Sequence, residues 1–153
     1  MAPNVFEIAR RYVIEVLEEA NGDVLRRLVS ESFVRRGPLG EVSGSASLAE
    51  QINDDRFSDV CIIIDDIIAS TDQAVIQYTW YATHRGELFN IAPTGKYLKM
   101  QVVEIIRIDD KGRIAEAEVY FDVYSLFEQL GMLPRPWQLA PPCVTRPVLR
   151  LVR

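Results

Sequence analysis

The stretch from Ile91 to Pro134 constrains the fold more than any other part of the chain. Its first half, IAPTGKYLKMQVVEIIRID, is rich in Val and Ile and long enough for one long strand. Asp110, Lys111 and Gly112 mark a tight turn. A second strand runs from about Arg113 to Phe121. Asp122 then sits where a helix cap belongs, and Val123, Leu126, Phe127 and Leu130 form the apolar stripe of one short helix. Gly131 and Pro134 stop it. A long hairpin feeding a short helix needs the rest of the chain to cover it.

The first third supplies that cover. Val5, Ile8, Ala9, Tyr12, Val13, Val16 and Leu17 recur at spacings of three and four, as in an amphipathic helix that Asn21-Gly22 ends. Asp23 is expected to cap a second, shorter helix with Leu25, Leu28 and Val29 inward, and the helix is left at Phe33 and Val34. Residues 35–46 read as a loop rich in Gly, Pro and Ser. Ser45 or Ser47 then caps a third helix to about Arg56, with Leu48 and Ile52 as its apolar contacts. After Phe57 the period falls to two: Ser58–Ile68 and Ala74–His84 read as strands.

The expected architecture is an α+β fold, cone-like, with the N-terminal helices on a strongly curved antiparallel sheet and a short helix after the last long strand. The 153 residues make one domain, 1–134, followed by a Pro-rich tail, 135–153, packed on its own or a partner subunit.

Both faces of the long hairpin are apolar. Met100, Val102 and Ile106 share one side, and Val103 and Ile105 share the other. Helices cover one face. The other calls for a homodimer partner or a closed pocket. Tyr78, Trp80, Met100 and Val102, with Tyr12 and Val119, are the expected lining of an apolar cavity.

Glu104 interrupts the apolar face, and a carboxylate there is either paired with an arginine or available for proton transfer. His84, the only histidine, is a hydrogen-bonding residue at a strand end or a second catalytic group. Asp122 is a helix cap or a site residue. Glu116 and Glu118 share one strand face, and the adjacent Asp65 and Asp66 diverge.

Other classes find little support. A net charge of −5 argues against nucleic acid, no apolar run spans a membrane, and no signal segment precedes the first helix, so the expected compartment is the cytoplasm. Two cysteines and one histidine build neither a disulfide framework nor a zinc triad, and there is no phosphate loop or nucleophile elbow. No metal or organic cofactor is expected.

Three segments carry a family resemblance: Thr83-His84-Arg85-Gly86, Pro93-Thr94-Gly95-Lys96, and the run IIRIDDKGRIAEAEVYFDVYSLFEQLGMLP. Together with the helix break at Asn21-Gly22-Asp23-Val24, they resemble the SnoaL-like polyketide cyclases, within the nuclear-transport-factor-2-like group of cone-shaped folds. The resemblance spans about Phe6 to Pro134. It implies that Glu104 stands where the cyclases carry an inward histidine, and Val119 where they carry a catalytic aspartate. It also implies that Asp122 is the shared strand-end aspartate, His84 the histidine of the THxG-like segment, and Tyr120 a replacement for a common tryptophan. The resulting expectation is a small-molecule cyclase or isomerase acting on an apolar polyketide-like metabolite by cofactor-free acid/base chemistry. A cofactorless hydrolase of the epoxide-opening kind, or a non-catalytic ligand-binding or protein-interaction module, is the alternative.

Overall fold

The computed structural model describes residues 4–132, so the Pro-rich tail lies outside the described residues. Helix α1 (Val5–Arg11) starts at Asn4, whose side chain accepts the Glu7 N–H at 3.2 Å. It runs on without a break as a π-helical turn, Tyr12–Glu18, which puts Tyr12, Val13 and Val16 into the core. The Glu18 carboxylate accepts the Ile62 N–H at 3.1 Å and ties this turn to the sheet. Helix α2 (Gly22–Leu28) is capped by Asn21 rather than by Asp23: the Asn21 side chain accepts the N–H groups of Asp23 and Val24. Asp23 falls in the first turn, where its charge favours the helix dipole.

The segment expected to be a helix exit and loop is a hairpin instead. Strands β1 (Val29–Gly37) and β2 (Gly40–Ser43) pair antiparallel across Pro38-Leu39. Helix α3 (Ser45–Ile52) follows Gly44, has no side-chain cap, and is shorter than the expected span to Arg56. Strands β3 (Phe57–Ala69), β4 (Gln73–His84), β5 (Tyr97–Ile108) and β6 (Ile114–Phe121) form an antiparallel meander. Helix α4 (Val123–Leu130) behaves as expected. Asp122 accepts the Ser125 N–H at 3.2 Å, and Gly131 closes the helix at φ 80°, a conformation that favours glycine.

The six strands make one sheet in the order β2-β1-β6-β5-β4-β3. It is antiparallel except where β1 lies parallel to β6, with Arg35 beside Ala117. Register shifts in β3 at Ser58/Cys61 and Ile64/Asp66, and in β5/β6 at Arg107/Ile108, bend the strands and curve the sheet. The helices fill the concave side, where Tyr12, Val16, Leu25, Phe33, Leu48, Ile76 and Ile106 form the main core. A smaller cluster of Leu88, Leu98, Leu126 and Leu130 lies under α4. On the convex side Val103 remains 36% exposed, with Ile63, Tyr97 and Tyr120 more so. Among the described residues, no helix is long and apolar enough to cross a membrane.

Candidate functional site

Four elements converge on the carboxylate of Glu104, which is fully buried on the concave face of β5. In the sheet register it stands opposite Ile76 on β4 and Val119 on β6. Tyr78, two residues along β4 from Ile76, is its diagonal neighbour and donates its hydroxyl to Oε2 at 2.8 Å. Tyr12 reaches down from the π-helical turn and donates to Oε1 at 2.9 Å. Arg35 reaches across from β1, over the small side chain of Ala117. Its Nε donates to Oε1 at 3.1 Å and its Nη2 to Oε2 at 3.2 Å. Each carboxylate oxygen therefore receives two donors. That is the pattern of an ionised carboxylate in a bidentate pair with an arginine, the first of the two readings that the sequence left open.

The surroundings fix the charges. Burial, then the neighbouring Glu104 charge, hold both Tyr12 and Tyr78 well above the ordinary tyrosine range, so both stay protonated donors. Burial alone would lower the Arg35 guanidinium. The Glu104 charge, Tyr12, Tyr78 and the hydrogen bond to Glu104 together outweigh it and raise Arg35 well above its ordinary value.

Beside this network opens a cavity of about 410 Å³. Tyr78, Trp80, Met100, Val102 and Val119 all line it. Phe57, packed edge-on against Trp80 with ring centroids 5.2 Å apart, extends the aromatic wall. Tyr12 and Glu104 stand behind this wall and touch the cavity only through Tyr78 and Arg35. At the mouth, two hairpin tips contribute exposed Leu39 and Phe89, with an Asp54–Arg56 ion pair between strand and helix. Phe89 and Asn90 both adopt positive φ, 52° and 62°. The chain accepts this strained turn and so holds the Phe89 ring against Phe127, with centroids 5.2 Å apart.

His84 and Asp122 are not brought into the cavity. His84 is fully buried at the end of β4, where its Nδ1 accepts the Thr94 N–H at 3.2 Å and lies 2.9 Å from Thr94 Oγ1. With Nδ1 an acceptor, Nε2 carries the ring proton, and it has no partner among the described residues. His84 thus clasps the loop that carries Leu88 and Phe89 to the cavity. Asp122 caps α4 and borders a separate shallow depression with Lys99 and Ser125. Among the described residues, no three His, Cys, Asp or Glu side chains group to hold a metal.

Sequence reasoning missed Arg35, because residues 35–46 read as a loop and a loop has no defined face. The alternation Phe33, Arg35, Gly37 on one side of β1 was the available signal. Phe89, on the cavity wall, carries no periodic signal, and Gln51 is a polar residue three positions after Leu48 with nothing to single it out.

Known proteins agree with this architecture. TsrD from Streptomyces laurentii superposes with a TM-score of 0.72 at 21% identity, covering 83% of this chain and 94% of that one. AclR from Streptomyces galilaeus gives 0.71 at 24% identity, covering 92% and 93%. An M. tuberculosis LEH-like epoxide hydrolase gives 0.66 at 18% identity, covering 82% and 88%. No curated protein matches by sequence. The family model described as SnoaL-like polyketide cyclase matches residues 7–130. The chain, by that match over most of its length and by its cone-shaped α+β fold, belongs to the SnoaL-like polyketide cyclase family.

Proposed function

We propose that the protein is a cofactor-independent cyclase or isomerase acting on an apolar, polyketide-like metabolite, with Glu104 as the base. The observation that carries this reading is the 2.8 Å hydrogen bond from Tyr78, on the cavity wall, to the buried Glu104 carboxylate. Glu104 has no direct access to a ligand, so Tyr78 connects it to one. As the Tyr78 oxygen takes a proton from an acidic C–H of the substrate, its own hydroxyl proton passes to Glu104 Oε2. Tyr78 is neutral before and after, which suits a tyrosine held far from ionisation. Return of the proton at another atom gives isomerisation. Attack of the carbanion on a carbonyl in the same molecule gives ring closure. The apolar wall of Trp80, Met100, Val102 and Val119 excludes water from both steps. His84 acts by position, through the loop it clasps, and Asp122 by fixing the start of α4.

Product analysis with hydrophobic polyketide intermediates tests this. Glu104→Gln and Tyr78→Phe should each lower turnover by roughly 10²-fold or more while retaining binding. Unchanged turnover in either variant removes the relay. Binding without turnover by the wild type favours a non-catalytic ligand carrier. The second reading is cofactorless hydrolysis, favoured by the polar end formed by Arg35, Gln51 and Tyr78, where a water has donors and acceptors. Solvent oxygen found in the product would select it.

The convex face supports a homodimer as part of the same proposal. Val103, Ile63 and Tyr120 are exposed there beside a stacked Tyr81–Tyr97 pair, with centroids 5.7 Å apart. The cytoplasm remains the proposed compartment, which suits an exposed Cys61 with no disulfide partner among the described residues.

A further inference from the structure

Arg35 lines the cavity, and its side chain is 18% exposed, whereas its partner Glu104 is sealed. Glu104 engages Nε and one hydrogen of Nη2. The other Nη2 hydrogen and the Nη1 group remain, and among the described residues Nη1 has only a long contact of 3.4 Å to Gln51 Oε1. Arg35 Nη2 and the Tyr78 hydroxyl share the same carboxylate oxygen, Oε2, so the two polar groups lie side by side at the cavity. The other charges at the cavity wall are already paired: Asp54 with Arg56, and Glu41 with Arg36. Among the described residues, no other cation stands free there for a ligand that arrives as an anion.

We propose that Arg35 is the oxyanion-binding residue of the cavity and that it exchanges its counter-ion, from Glu104 to the ligand, when a proton moves. The inference rests on the Tyr78–Glu104 relay and assigns the ligand class: an uncharged, enolisable ketone, 1,3-dicarbonyl or phenol. In the resting site Arg35⁺ faces Glu104⁻ and the ligand is neutral. The ligand's C–H or O–H bond breaks, its proton joins the Tyr78 oxygen, and the Tyr78 hydroxyl proton joins Glu104 Oε2. The electron pair of the broken bond settles on the ligand oxygen at Arg35. Glu104 is then a neutral acid, and the single negative charge has crossed to the other side of the guanidinium. At no stage does the apolar site hold an unpaired charge, which would be costly there. A preformed anion can bind only with uptake of a proton, because Glu104 already occupies the cation.

The state after transfer consists of a ligand oxyanion, Arg35⁺ and protonated Glu104. It can be assembled from the other direction with a dinitronaphtholate, a coloured two-ring oxyanion ionised at neutral pH. In the wild type, binding of this anion should take up one proton from solution, so affinity weakens about tenfold per unit rise in pH. The groups facing Glu104 are Tyr12, Tyr78 and Arg35, since its cross-strand neighbours Ile76 and Val119 carry no charge. Both tyrosines stay protonated through neutral pH, so the proton taken up belongs to Glu104. Glu104→Gln should bind the same anion more tightly, with no proton uptake and no pH slope. The double variant Arg35→Met/Glu104→Gln leaves no buried charge unpaired, so it guards against loss of fold. It should bind the anion at least tenfold more weakly than Glu104→Gln.

Binding by the wild type without proton uptake overturns the proposal. So does equal affinity in the double variant, or no binding by any of the three proteins. The two readings separate cleanly. Turnover that depends on Glu104, without proton-coupled anion binding, retains the relay and removes Arg35 from it. Proton-coupled binding without turnover of any intermediate retains the counter-ion exchange as a ligand-binding property and removes the cyclase reading.

Discussion

Replacing Glu104 by glutamine should destabilise the fold far more than a change of one atom suggests. The glutamine keeps one acceptor oxygen for a tyrosine but cannot answer the bidentate guanidinium at 3.1 and 3.2 Å. Breaking one side of a buried ion pair costs about 3–5 kcal/mol, because the remaining charge is left without a partner. Arg35 keeps 18% exposure toward the cavity, and solvent there offsets part of the loss. A net loss of about 2–4 kcal/mol follows. For a chain of this length that corresponds to a fall of roughly 10 °C in Tm. Urea denaturation followed by tryptophan fluorescence measures it directly. The Arg35→Met/Glu104→Gln double variant should recover at least about 1 kcal/mol relative to Glu104→Gln alone, since it removes the stranded cation. The reasoning is refuted if Glu104→Gln stays within about 0.5 kcal/mol of the wild type at unchanged m-value, or if the two single losses simply add. Activity comparisons should therefore be made well below the variant's unfolding transition.

Three other outcomes are expected. Tyr12 and Tyr78 keep their protons in the fold above the ordinary value of 10.0, where the unfolded chain loses them. Their contribution is thus complete below about pH 10 and is lost as pH rises toward the folded values, at about 1.4 kcal/mol per pH unit for each residue. Denaturation midpoints of Tyr12→Phe and Tyr78→Phe should fall less steeply with alkali than those of the wild type, and an identical slope would contradict the burial argument. Gly86→Ala should cost about 1–3 kcal/mol by thermal melts, because the new Cβ would stand 2.8 Å from the Arg56 Cα, and a neutral result would show that the loop shifts freely. Sedimentation equilibrium should give a two-chain mass for the wild type and a one-chain mass for Val103→Glu, and a one-chain wild type removes the proposed homodimer.

The meander and α4 were legible because each boundary has its own local chemistry. Asp122 and Gly131 bracket a four-residue apolar stripe, and the Gly112 turn joins two alternating strands. Asn21 and Asp23 compete for the same cap, and sequence alone does not choose between neighbours that are both good cap residues. Strand β1 was hidden for a different reason. Its second partner is β6, far along the chain, and its charged residues Arg35 and Arg36 face opposite sides. Glu104 stood out as a lone charge in an apolar run. Its partner did not, because the ion pair joins residues 69 positions apart that only the folded sheet brings together.

The parallel pairing of β1 with β6 also sets an order of assembly. Val34 meets Glu116 in that pair, a closure over about 80 residues, whereas β3 to β6 can zip together hairpin by hairpin. During synthesis the N-terminal third leaves the ribosome first, and its strand β1 has no second partner until β6 has emerged. The helices can dock on β3 and β4 as these emerge, but the β6 side of the core stays open until the end. Arg35, on β1, waits with that side. The ion pair at the cavity therefore closes among the last contacts to form, and a chain stalled before β6 holds neither a finished core nor a site.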